Sequence, residues 1–147
     1  MFYVLGSQKD SDHVFFYSKM PQSEITLNKN SVVKFSDVLN NKGNHFNSGD
    51  SVFVSPVSGV YLFSWTTQTY SGNYVNTELR VNNIVKETLH ANIGGSVGRV
   101  SVSRVIICNV EKNDHVWIQT SGHFSENYFN NQYNSGSSFM GFLMYVT

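Results

Sequence analysis

Phe53-Val54-Ser55-Pro56-Val57-Ser58-Gly59-Val60-Tyr61-Leu62-Phe63 reads as two strands joined by a corner. Pro56 at a strand end removes a backbone donor that needs no partner there, and Gly59 permits a tight bend. Beyond the corner, Val60, Leu62 and Ser64 alternate with Tyr61, Phe63 and Trp65, so this strand is apolar on both faces. Two more runs share that property. Val14 and Phe16 oppose Phe15 and Tyr17; Phe139, Leu143 and Tyr145 oppose Met140, Phe142, Met144 and Val146. In a two-layer sandwich the outer face of such a strand is covered only by a loop or by another subunit. Three such runs favour another subunit, with Phe15, Tyr17 and Tyr145 as candidate interface residues.

Short β-branched and aromatic runs, broken by Gly, Asn and Ser clusters, recur along the rest of the chain and predict an all-β fold. The expected strands are 13–18, 32–35, 51–54, 60–67, 75–81, 84–90, 100–110, 115–120 and 139–146. No convincing amphipathic helix interrupts them. In 75–81, Val75, Thr77, Leu79 and Val81 alternate with Asn76, Glu78 and Arg80, which predicts one buried and one wet face. Asn82-Asn83 suits a two-residue hairpin turn, because Asn tolerates positive φ.

At 147 residues the chain suits one domain, expected over 13–147 behind an extension at 1–12. Ten basic residues balance ten acidic ones with no run of like charge, which argues against a nucleic-acid partner. No stretch reaches the roughly 18 apolar residues of a membrane helix. Residues 1–7 lack a basic n-region and a long apolar run, so no signal peptide is expected in the chain as given. No Gly-X-Y repeat is present, so no collagen stalk is expected. Cys108 is the only cysteine. It reads first as a small buried apolar residue; an intermolecular bridge or a reactive thiol is the other reading.

The residues resemble the complement 1q globular-head family of the tumour-necrosis-factor-like jelly-roll superfamily. Val14-Phe15-Phe16-Tyr17-Ser18 is similar to its first strand, followed by 33–39 and 41–46. The stretch from Phe53 to Phe63 resembles its F-x-x-P-V-x-G-x-Y-x-F core motif. Asn113-Asp114-His115-Val116-Trp117-Ile118 resembles G-D-x-V-W-L, and Ser138-Phe139-Met140-Gly141-Phe142-Leu143 resembles S-F-x-G-F-L. The resemblance implies a ten-stranded antiparallel jelly-roll β-sandwich, a homotrimer, a secreted extracellular setting and no catalysis. It implies binding of glycans or microbial surface polymers, as in stalkless invertebrate immune lectins, with a cell-surface receptor as the alternative partner and a structural or carrier role as a third. Two departures stand out. Asn113 replaces the family glycine, and 92–103 lacks the acidic residues that hold calcium in some members. No metal or other cofactor is expected.

Gly94-Gly95-Ser96-Val97-Gly98 matches the G-x-S-x-G nucleophile elbow, but that motif needs a helix after it and a strand follows instead. His13, His45, His90, His115 and His123 are scattered; His115 and His123 share strand parity but lie too far apart to chelate one ion. Arg104, on an otherwise apolar face, either meets an acid across a subunit seam or reaches solvent. The loop at 122–138 concentrates aromatics and amides where charges are scarce, which suits a neutral sugar. Phe124, Phe129 and Tyr133 are the expected stacking residues, Asn130 and Asn131 the hydrogen-bonding ones, and Glu126 an acceptor. Tyr70 and Tyr74 are candidate neighbours, and Tyr128 is expected to pack.

Overall fold

In a computed structural model, which describes residues 13–95, 97–133 and 136–147, the three runs apolar on both faces become neighbouring strands of one sheet. The strands are β1 (Phe15–Lys19), β2 (Glu24–Leu27), β3 (Asp37–Lys42), β4 (Phe46–Asn47), β5 (Val52–Val54), β6 (Gly59–Tyr70), β7 (Tyr74–Val81), β8 (Ile84–Asn92), β9 (Arg99–Val110), β10 (His115–Thr120), β11 (Asn127–Asn130) and β12 (Ser138–Val146). One five-stranded sheet runs β3-β1-β12-β6-β9 and the other β4-β5-β10-β7-β8, with a two-stranded β11-β2 ribbon beside them. Every pairing is antiparallel, and no helix occurs among the described residues. The chain is thus an all-β jelly-roll sandwich of ten strands plus a ribbon. The expected extension at 1–12 lies outside the described residues.

The inner faces of β1, β6 and β12 build an aromatic core. Phe16 stacks on Phe46 with ring centroids 4.6 Å apart and meets Phe139 edge-on at 4.9 Å. Tyr61, Phe63 and Trp65 are fully buried along β6. Gly141 faces them: a Cβ there would lie 2.6 Å from the Phe63 ring and 2.7 Å from Phe16, so the close ring packing requires glycine. Gly59 also serves close approach rather than a bend. Its Cβ would lie 2.6 Å from the Tyr145 carbonyl oxygen on the paired strand.

The outer face of the same sheet stays apolar and open. Strand pairing lines up Ile107, Leu62, Phe142 and Phe15 in one row, and Val105, Ser64, Met140 and Tyr17 in the next. Val105 and Ile107 are each 58% exposed. A groove of about 390 Å³ runs between β1 and β12. Alternation along β12 breaks once: Leu143 pairs with Tyr61 and Tyr145 with Val60, leaving Met144 as an extra residue. The bulge swings Tyr145 off the face it would share with Phe139 and Leu143 and onto the open one, where it is 59% exposed.

The outer face of the second sheet corrects the expectation of a wet side on β7. Asn76 and Glu78 are buried there. Glu78 accepts from Arg80 Nη2 at 2.7 Å and Nε at 3.1 Å, while Arg80 Nη1 donates to Asn83. Asn76 meets the His90 ring, and Trp117 Nε1 donates to Gln119. Long polar side chains from β8 and β10 lie beside those of β7 and cover them.

Several local readings hold. Asn82 and Asn83 take φ of +48° and +69°, the hairpin conformation anticipated for them. Asn113 takes φ +72°, so it adopts the conformation that a glycine would supply. Others need correction. Residues 32–35 form only a bridge at Val32↔Gln119, although Val33 and Phe35 are fully buried. Strands β2, β3, β4 and β11 are additional to those expected. Arg104 is exposed, as one of its two readings has it, and its Nε donates to the Thr88 carbonyl on β8 at 3.1 Å, across the open edge of the sandwich.

Strand β6 runs the length of the molecule, about 36 Å at roughly 3.3 Å per residue. At one end Gly59 pairs with Val146 and Val110, and Thr147 N donates to the Ser58 carbonyl. β1 enters from the same half, Phe15 pairing with Phe142. At the other end Tyr70 pairs with Arg99, and the described residues 71–73, 93–95, 97–98, 131–133 and 136–137 gather.

Candidate binding site at the loop end

Because β6 ends and β9 begins at the same level, Tyr70 and Arg99 sit side by side. The Arg99 guanidinium carbon lies 5.1 Å from the Tyr70 ring centre and 4.6 Å from that of Tyr133, so the cation is held between two aromatic faces. Its Nε donates to Asn130 Oδ1 at 3.2 Å and its Nη2 to Gln132 Oε1 at 2.7 Å. Asn130 Nδ2 in turn donates to the Tyr128 hydroxyl at 3.1 Å, and that hydroxyl donates to Glu24 Oε2 at 2.6 Å. The bond to the Glu24 carboxylate holds the Tyr128 phenol above its ordinary pKa. A chain of fixed side chains thus runs from the β2-β11 ribbon to the guanidinium. Tyr133, with φ +64°, is 83% exposed and leaves one ring face to solvent.

This arrangement divides the residues expected to bind. Tyr70 and Tyr133 are brought together around Arg99. Tyr74 and Phe124 form a separate edge-on pair, centroids 5.0 Å apart, with Phe124 40% exposed. Glu126 is exposed between that pair and the ribbon. Phe129 is a correction: it is fully buried, pairs with Ile25 across the ribbon and joins the core, so it offers no face to a sugar. Asn130 and Asn131 are corrections too. Both are buried, and Asn131 is spent on Gln22 O at 3.0 Å and Ser137 N at 2.7 Å. The stretch 122–138 is not one loop, because β11 pins its middle. Tyr128 is half-buried and bonded, as a packing residue should be.

Arg99 is the residue that the sequence did not single out. Nothing adjacent marks it; only the pairing of β6 with β9 and the return of 130–133 reveal it. The G-x-S-x-G segment lies between two strands, and Ser96 is outside the described residues. Among the described residues no group of three His, Cys, Asp or Glu is placed to hold a metal. Cys108 is partly buried against the core, and burial raises its thiol pKa.

The sequence pattern of the C1q domain matches residues 14–144. The chain belongs to the C1q domain family. Among curated proteins, this C1q domain is 27% identical over 128 residues to human complement C1q and tumor necrosis factor-related protein 9A, covering 87% of the chain and 36% of that protein. It is 30% identical over 119 residues to mouse complement C1q tumor necrosis factor-related protein 2, covering 78% and 38%. The chain therefore spans little more than a third of the length of these relatives. Among solved structures, the globular domain of zebrafish complement 1qA superposes with a TM-score of 0.74 at 20% identity, over 92% of this chain and 100% of that one. Eiger TNF from S. frugiperda superposes at 0.71 and 9% identity, over 92% and 95%. The C1q fold thus carries an aromatic and amide cluster at its loop end, with a single cation at its centre.

Proposed function

We propose that this C1q domain is a non-enzymatic, secreted recognition module that assembles as a homotrimer and binds glycans or microbial surface polymers through its loop end. The observation that carries the reading is the open apolar face of the β3-β1-β12-β6-β9 sheet. Val105, Ile107, Phe15 and Tyr145 are too exposed, and too contiguous, for a face that stays in water. A second copy is the occupant that a closed symmetric assembly supplies, and Phe15, Tyr17 and Tyr145 lie on that face. Three copies would point three loop ends the same way, turning weak single contacts into avidity of about 100-fold or more on a repetitive surface. Assembly needs no calcium, because 92–103 offers no carboxylate. Light scattering at micromolar concentration, with and without chelator, should give three times the 16.6 kDa chain mass in both. A monomer, or a trimer lost on chelation, overturns the assembly. Failure to bind any glycan or microbial polymer in a broad screen overturns the recognition role.

The tumour-necrosis-factor fold and the names of the curated relatives favour a second reading, a ligand for a cell-surface receptor. Tight binding to a receptor protein without glycan binding would select it.

A further inference from the structure

We infer that the exposed Arg99 site takes a sugar bearing a carboxylate, such as a uronic acid, rather than a neutral one. The inference rests on the recognition reading above and names the ligand class of that site.

The argument starts from which guanidinium edges are occupied. Asn130 and Gln132 accept from Nε and Nη2, so the side edge of Arg99 is fixed by two amides. Nη1 has no acceptor among the described residues, and Nη2 carries a second N–H. The end edge, Nη1 with Nη2, is therefore the one left for a ligand. Its two parallel donors match the two oxygens of a carboxylate. Both residues holding the side edge are neutral, and Arg99 makes no salt bridge among the described residues. The nearest acid along the bonded chain, Glu24, is separated by Asn130 and Tyr128 and is itself engaged by the phenol. The charge of Arg99 is held in place but not neutralised.

The walls specify the rest of the ligand. Tyr70 and Tyr133 flank the cation, and the open face of Tyr133 offers a flat surface on which the C–H face of a sugar ring can lie. A single fixed guanidinium between two rings fits one carboxylate per sugar unit. A phosphate backbone would call instead for a stripe of cations, and the ten basic residues form no run.

The test measures binding of the intact protein at fixed ionic strength to alginate, a polyuronate, and to alginate whose carboxyls have been reduced to neutral alcohols. Alginate should bind, and reduction should weaken binding by about tenfold or more, the size of a lost charge-assisted contact. That comparison needs no change to the protein. Arg99→Met and Arg99→Lys, checked for unchanged mass and melting, should each weaken alginate binding about tenfold or more, because lysine cannot reproduce the paired donors. Tyr133→Ala should weaken it several-fold. Equal binding of the reduced polymer, or an unaffected Arg99→Met variant, overturns the inference. So does equally strong binding of poly-glutamate, which would make the site one for acidic peptides. If neutral microbial polymers bind and alginate does not, the inference fails while the recognition role stands; if nothing binds, both fail.

Discussion

On the outer side of β6 and β9, Leu62 is half-exposed and Val105 and Ile107 lie open to solvent; on the outer side of β7 and β10, Asn76, Glu78 and Gln119 are almost wholly shielded from it. The apolar face is exposed and the polar face is buried, the reverse of what hydropathy alone suggests. The polar face closes on itself because Glu78, Arg80, Asn83, Trp117 and Gln119 satisfy one another. An apolar face has no such option, since its side chains gain only by removing area from water. One sheet is therefore finished within the chain, and the outer face of the other is left open by it.

The largest effect should come from charging the unfinished face. Leu62→Asp with Ile107→Asp should lower the solution mass from trimer to monomer, read by light scattering, and leave the β-sheet circular dichroism in place. A stable trimer carrying both substitutions would show that the subunits meet elsewhere. Next in size is a contrast within the former loop. Phe129→Ala should cost about 3–5 kcal/mol in urea unfolding because it empties a core site, whereas Tyr133→Ala should stay within about 0.5 kcal/mol. Equal costs would mean that the ribbon does not pin Phe129 as described. The smallest effect tests the finished face. Glu78→Ala should cost about 1–3 kcal/mol, a value tempered by the partial exposure of Arg80, and should leave the trimer mass unchanged. Loss of the trimer in that variant would abolish the distinction between the two faces.

What could be read from the sequence follows from where periodicity is visible. Runs with two apolar faces, such as Val60 to Trp65, declare themselves without help, and Asn82-Asn83 carries its turn in its own chemistry. Strand β3, with Asn40, Asn41 and Lys42 on a sheet edge, has no apolar period to find. Strand β11 hides for a different reason. Asn127 and Asn130 are buried by side-chain bonds to partners 100 and 31 residues away, so their polarity reads as a loop. The same blindness misplaced Phe129, Asn130 and Asn131 in the binding set. Arg99 was missed because its importance is wholly long-range: its two walls come from residues 29 positions before it and 34 after it, an assembly that no local window contains.

The lengthwise course of β6 has a practical consequence. Both ends of the described chain lie toward Gly59, while Tyr70, Arg99 and Tyr133 crown the opposite pole. The domain therefore behaves as a handle and a head. A tag or a sensor surface attached at residue 147 holds the molecule by the handle and leaves the guanidinium facing outward, so immobilisation through that residue preserves access to the Arg99 site.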